Sequence, residues 1–218
     1  MSRKLIIFAL VLGLTSTSYG AAQLANWDST MDGWDTSQGA GWGGSCVLTP
    51  GATIGVTQGT GSLDFLNNSG GGWQWGPVVQ TWTPGPFLFT AQDIDDNDKL
   101  EFDVTYLNAD WGASVSAVLE TNVQIQYANA GTLSIQTENL AQRNGGDADT
   151  TIHVSVDYSG MKVTGDTVWN ATVAIGMNYW GGTPTSATVY LDDVKVIPEP
   201  ATIAMLGLGG LALIRRKK

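Results

Sequence analysis

The sequence predicts an all-β fold, a two-sheet β-sandwich flanked by two short terminal segments of different character. Three observations carry the prediction. Apolar and polar residues alternate with a period of two in several stretches, the signature of strands with one buried and one wet face. Clusters of Gly, Pro, Asn and Asp separate these stretches every 8 to 20 residues, as turns do in sandwiches. Between residues 23 and 197 no segment sustains an apolar period of 3.6.

In chain order, strands are expected at 23–27, 46–49, 53–58, 62–67, 78–83, 99–106, 113–119, 121–127, 132–136, 151–158, 167–177 and 187–196. The alternation is cleanest at 99–106, 121–127 and 151–158, where every second residue is apolar. Gly59-Thr60-Gly61, the run from Asn67 to Gly72, Pro84-Gly85-Pro86, the run from Asn144 to Asp147, and Gly181-Gly182-Thr183-Pro184 supply the turns. One domain over 23–197 accounts for all of them. No internal repeat stands out.

The ends read as addresses. Arg3 and Lys4 precede a ten-residue apolar run (5–14) and a small, polar stretch to Ala22, the layout of a secretory signal peptide over 1–22. Small residues allow cleavage after Gly20 or after Ala22, and an uncleaved N-terminal anchor is the competing reading. At the other end Pro198-Glu199-Pro200 leads into 14 apolar residues (201–214) and the cations Arg215, Arg216, Lys217 and Lys218. As a helix the apolar segment is about 21 Å long, short of a hydrocarbon core of about 30 Å. The two prolines exclude helix before it, and the terminal cations resist translocation. A plain tail anchor is the competing reading here.

Residues 198–218 resemble the PEP-CTERM sorting signal, with Pro-Glu-Pro, a hydrophobic segment and a basic tail in that order. Lysines mixed into the tail, and Gly207, Gly209 and Gly210 within the segment, are mild departures. The resemblance implies a substrate of an exosortase in a diderm bacterium that makes exopolysaccharide. The tail would be held transiently in the inner membrane and cut near Pro198, Glu199 and Pro200. The remainder would be retained at the cell surface, in the outer envelope or in the extracellular matrix.

Charge excludes one class of partner. Residues 23–197 hold four basic residues, Lys99, Arg143, Lys162 and Lys195, against 19 acidic ones. Such a surface repels phosphate backbones, so nucleic-acid binding is not expected. Catalytic signatures are missing as well. The single histidine, His153, lies on the polar face of an alternating stretch, and no metalloprotease, P-loop or Gly-x-Ser-x-Gly spacing occurs. Glu101-Phe102-Asp103 begins like the catalytic strand of sandwich-fold glucanases, but Tyr106 stands where the second glutamate belongs, and glycoside hydrolysis needs two carboxylates. A non-enzyme is expected, with a degenerate glycoside hydrolase the least favoured reading. The acidic run from Asp93 to Asp98 departs from an EF-hand at its glycine and glutamate positions and reads as a solvated turn rather than an irregular calcium loop. Cys46 has no partner, so it is expected to act as a small buried hydrophobe.

A second resemblance covers most of the domain. The opening from Gln23 to Asp28, the stretch from Gly55 to Leu63, the strand at 99–106 and the closing Leu191-Asp192-Asp193-Val194 look like carbohydrate-binding-module jelly rolls. The resemblance implies a jelly-roll sandwich, with a structural Ca2+ between the first and last strands at Asp28 and Asp192, Asp193 serving as a substitute. Carboxylates brought together from both chain ends repel one another, and a hard cation relieves this.

Nine tryptophans lie in the domain. Indole faces stack on the C–H faces of sugar rings while polar neighbours hold the hydroxyls. Trp73 and Trp75 flank Gln74 and point to one side of their strand. Tyr179 and Trp180 precede a glycine pair. These four are the candidate carbohydrate-binding residues, whereas Trp27 and Trp169 are assigned to the core. The favoured reading is an exported, non-catalytic surface protein that binds exopolysaccharide. A structural or adhesive envelope protein with a protein partner, its tryptophans used in packing, is the alternative.

Overall fold

The computed structural model describes residues 20–36, 46–70, 72–81 and 87–198. The signal segment over 1–19, Glu199, Pro200, Arg215, Arg216, the apolar tail, Trp42, Trp82 and the predicted Pro84-Gly85-Pro86 turn lie outside the described residues.

Ten strands form among the described residues: β1 (Ala22–Ala25), β2 (Cys46–Ala52), β3 (Ser62–Asn67), β4 (Gln74–Gln80), β5 (Lys99–Tyr106), β6 (Ser116–Tyr127), β7 (Gly131–Arg143), β8 (Thr150–Asp157), β9 (Val168–Trp180) and β10 (Thr188–Ile197). They make two antiparallel sheets. One has the order β2-β3-β10-β5-β8, with β1 also paired to β10, and the other has the order β4-β9-β6-β7. The sandwich predicted from alternation is present, and β5 has its predicted bounds. Leu100, Phe102 and Val104 of β5, Val154 and Val156 of β8, and Val123 and Ile125 of β6 are buried in one core between the sheets. Their polar neighbours face away from it.

Several local expectations change. Residues 116–119 of the first stretch and the whole of 121–127 are one strand, β6, because Glu120 faces outward within it rather than interrupting it. Residues 53–58 form a loop instead of a strand, held by side-chain acceptors described below. The acidic run at 93–98 is partly helical: α1 (Ala91–Asp96) starts at a capping box. The Asp93 amide donates to Thr90 Oγ1 at 3.2 Å, and the Thr90 amide donates to the Asp93 carboxylate at 2.7 Å. This satisfies two of the N–H groups that a helix start leaves without partners. A second short helix, α2 (Asn108–Trp111), follows β5.

The first and last strands meet. Ala22 pairs with Val196 and Gln23 with Lys195, so β1 starts one residue before the predicted boundary. β10 lies between β5 on one side and β3 and β1 on the other, which makes the last strand an interior one.

The two poles of the sandwich differ. At one, Asp98 donates its amide to the Ile197 carbonyl at 2.9 Å, and the Tyr127 hydroxyl donates to Asp95 of α1 at 2.5 Å. At the other, the Trp111 indole N–H donates to the Thr188 carbonyl at 2.7 Å. There Trp111 packs edge-on against Tyr106 and Tyr179, at 5.9 and 5.8 Å between ring centroids.

Candidate functional site

Period-two geometry turns Ala117, Leu119, Val123 and Ile125 of β6 into the core. The same geometry sends Glu120, Asn122, Gln124 and Gln126 to the outer face of the four-stranded sheet. Register brings polar partners beside them. Gln124 pairs with Thr172 and Gln126 with Asn170 on β9; Gln126 pairs with Thr132 on β7; Gln80 of β4 pairs with Thr172. Gln80, Gln124, Gln126, Thr132, Asn170 and Thr172 line a cavity of about 130 Å³.

Towards the Trp111 pole the same face becomes aromatic. Trp75 pairs with Gly176, which pairs with Glu120. A methyl group built on Gly176 would lie 3.0 Å from Trp75 Cε3 and 3.2 Å from Glu120 Cγ. The indole therefore lies over the one position of β9 that lacks a side chain there, with Glu120 on the far side.

Glu120 and Asn122 are almost fully buried on this face, at 3% and 5% exposure. Gln136 Nε2 donates to Glu120 Oε2 at 3.0 Å. Asn122 Oδ1 is buried without a hydrogen-bond partner. Burial pushes the Glu120 carboxyl above its ordinary range; the Gln136 donor opposes this and the nearby Glu138 charge adds to it. A buried acceptor without a partner calls for a donor from outside. No Lys or Arg projects onto this face among the described residues. Arg143, the one arginine of the domain, is buried and donates to the carbonyls of Val115, Gly112 and Asp147 and to the side chain of Asn108.

The predicted aromatic residues separate. Trp73 and Trp180 are exposed at 38% and 46%, and Trp75 is half-buried. By register Trp73, Trp75 and Trp180 lie at the same end of the outer face. Tyr179 is corrected: it is buried in the core against Trp111, because it has the inward parity of Ile175 and Met177. The assignment of Trp169 to the core is also corrected, since it is 64% exposed at the start of β9. Trp27 is buried, edge-on to Trp34. The sequence signal for the polar residues was the 121–127 alternation, whose wet positions include Asn122, Gln124 and Gln126.

The three aspartates implied for calcium also separate. Asp192 Oδ2 accepts from the amides of Thr57 and Gln58 at 2.5 and 2.7 Å. Asp28 Oδ1 accepts from the amides of Thr60 and Gly61, which hold its carboxyl below the usual carboxylate range. The two side chains thus hold opposite ends of one loop. Asp193, at a positive φ of 50°, pairs with Lys195. No group of three His, Cys, Asp or Glu side chains is placed to hold a metal among the described residues. Asp192 Oδ1, buried with no hydrogen-bond partner, is the one oxygen here that fits a hard cation directly.

The outer face of the other sheet holds His153. Its Nδ1 lies 2.7 Å from Asp103 Oδ1 and its Nε2 lies 3.6 Å from Glu101 Oε2. Cross-strand register makes this pairing, with His153 opposite Asp103, on the polar face that the alternation predicts.

Comparison with known proteins bears on the two parts separately. The family model for the PEP-CTERM protein-sorting motif matches residues 196–218. The chain carries a PEP-CTERM sorting motif. The motif overlaps β10 at Val196 and Ile197. The sandwich is similar to several solved carbohydrate-binding modules. One is the CBM22-1 xylan-binding domain of Paenibacillus barcinonensis, at 15% identity and a TM-score of 0.44 over 85% of this chain and 100% of that one. Another is Caldicellulosiruptor saccharolyticus CBM27-1, solved with mannohexaose, at 15% identity and a TM-score of 0.48 over 82% and 97%. A third is a CBM22-1–GH10 xylanase structure from Clostridium thermocellum with xylohexaose, at 16% identity and a TM-score of 0.45 over 83% of this chain. The chain spans 29% of that structure and 60% of another module from the β-sandwich superfamily. These likenesses concern the fold. No curated protein matches the sequence.

Proposed function

We propose that this PEP-CTERM protein is an exported, non-catalytic surface protein that binds a neutral polysaccharide on the outer face of its four-stranded sheet. The observation that carries the reading is the juxtaposition of Trp75 over Gly176 with the buried Glu120 carboxyl and the unpartnered Asn122 Oδ1. An indole face and an unfilled acceptor suit a ligand with C–H faces and hydroxyl donors. Two glutamates and no cation on that face disfavour uronate-bearing chains. The amides of Gln80, Gln124 and Gln126 extend the same chemistry along the strands. Asp192, whose Oδ1 is buried without a hydrogen-bond partner, would hold a calcium ion beside the 57–61 loop. In this reading an exosortase cuts the chain near Pro198, Glu199 and Pro200, after transient residence of the tail in the inner membrane. The released sandwich is kept in the outer envelope or matrix by the polysaccharide it binds.

Affinity electrophoresis through gels containing neutral or uronate-rich polysaccharides tests the ligand. Retardation by a neutral polymer, lost in Trp75→Ala with the fold intact, is the expected result; equal mobility of both proteins in every gel removes the aromatic platform. Mass spectrometry of the mature C-terminus tests the sorting, and an intact Lys218 on protein recovered from cells rejects it.

A further inference from the structure

The two described ends of the chain lie at one pole. Ala22 and Val196 are ladder partners on adjacent strands, which lie about 5 Å apart. The chain therefore enters and leaves the sandwich side by side. Only residues 198–200 separate Ile197 from the apolar segment that begins at Ala201, and fully extended they reach at most about 14 Å. Whenever that segment is in a bilayer, this pole is drawn down to the membrane surface.

The pole carries two of the largest exposed apolar side chains. Leu88, 53% exposed, precedes the Thr90 cap of α1 by two residues; Trp169, 64% exposed, follows Val168, the register partner of Tyr127. The Tyr127 hydroxyl is bonded to Asp95 of α1, and two residues beyond α1 Asp98 is bonded to Ile197. Backbone and side-chain bonds thus connect both residues to the point where the tail leaves.

We propose that Leu88 and Trp169 form a membrane-facing contact, which seats this pole in the interfacial layer of a phospholipid bilayer while the tail is embedded. Indole and leucine side chains suit that layer, where one end of a group is wet and the other apolar. Charge does not drive the contact. Asp93, Asp95 and Asp96 of α1 lie at this pole, Asp98 is paired with Lys162, and Lys99 stands opposite Asp157, so anionic headgroups offer no net attraction. Seated this way, the sandwich holds Trp73, Trp75 and Trp180 at its far end. The proposal rests on the tail being membrane-embedded before it is cut; it does not depend on glycan binding.

The test uses the full chain with phosphatidylcholine vesicles. Leu88→Cys and Trp169→Cys, each in a Cys46→Ser background, carry an environment-sensitive dye, with Trp180→Cys as the far-pole control. On addition of vesicles the dyes at 88 and 169 are expected to shift to the blue and lose access to aqueous iodide, while the dye at 180 does neither. In the otherwise native chain, Trp169→Phe is expected to remove most of the quenching by lipids brominated near the interface. Vesicle-bound chain with water-like dyes at 88 and 169, or with the dye at 180 equally protected, overturns the seating. A chain that does not float with vesicles overturns the embedded-tail reading and the seating with it, and affinity electrophoresis still tests the glycan face separately.

Discussion

Filling the gap beneath Trp75 is the sharpest test of the binding face. In Gly176→Ala the new methyl would meet Trp75 Cε3 at 3.0 Å and Cδ2 at 3.1 Å, with Glu120 Cγ at 3.2 Å on its other side. Carbon atoms settle at about 3.5 to 4.0 Å, so the indole must move off the sheet by about half an ångström. Two effects on stability oppose each other. Replacing a strand glycine recovers about 0.5 to 1 kcal/mol of unfolded-state entropy, and overpacking costs about 1 to 3 kcal/mol. The net change is a loss of about 0 to 2.5 kcal/mol. For a domain of this size that lowers Tm by at most about 10 °C. Binding responds differently, because a displaced ring forfeits a stacking contribution of about 0.5 to 1.5 kcal/mol, roughly a two- to tenfold weaker Kd. Isothermal titration with the retarding polysaccharide, beside a thermal melt, reads both quantities. Unchanged affinity in Gly176→Ala, with Trp75→Ala also unchanged, would refute the claim that this part of the face contacts ligand.

Three further outcomes are expected. Tyr179→Ala empties a core site beside Trp111 and loses about 3 to 5 kcal/mol in denaturant unfolding, whereas Trp180→Ala stays within about 0.5 kcal/mol of the parent and weakens retardation instead. Asp192→Ala leaves the amides of Thr57 and Gln58 without their acceptor and costs about 3 to 5 kcal/mol; a chelator lowers the midpoint of the parent chain, and an unmoved midpoint removes the calcium ion. Stability also depends on pH in opposite senses at two carboxyls. Glu120, held above its ordinary 4.5 by burial, favours the folded chain below that value, and this contribution fades as pH rises through the raised value. Asp28, held below its ordinary 3.8 by the Thr60 amide, contributes above 3.8, and this is lost as pH falls through the lowered value. The contributions of these two groups together are greatest between the lowered Asp28 value and the raised Glu120 value. Glu120→Gln melts higher than the parent at neutral pH and coincides with it below pH 4.5; equal melts across the range would show that this carboxyl carries no burial penalty.

Much of the fold was legible because alternation encodes burial directly, as at β5 and β8. The face that matters was only half legible. Asn122, Gln124 and Gln126 announced a wet side of one strand, but their meeting with Gln80, Thr172 and Thr132 is a matter of register between strands distant in sequence. Glu120 falls between the two expected strands 113–119 and 121–127, because a charge in an apolar context interrupts the local alternation. Tyr179 looked exposed beside two glycines, yet parity with Met177 decides its direction. Trp169 looked like core by residue type, and only the position of the strand end shows otherwise. Asp28 and Asp192 were found from the chain ends, but the loop they hold contains no acid to mark it.

The central place of β10 sets a condition on timing. A chain threaded outward from its amino end exposes the flanks of β3 and β5 until the last ten residues of the sandwich have emerged, and bare strand flanks invite pairing between neighbouring molecules. The sandwich closes only as Val196 and Ile197 arrive, and those two residues open the PEP-CTERM motif. Completion of the sheet therefore falls where the motif begins, so a product truncated before β10 would lack both the interior strand and the motif.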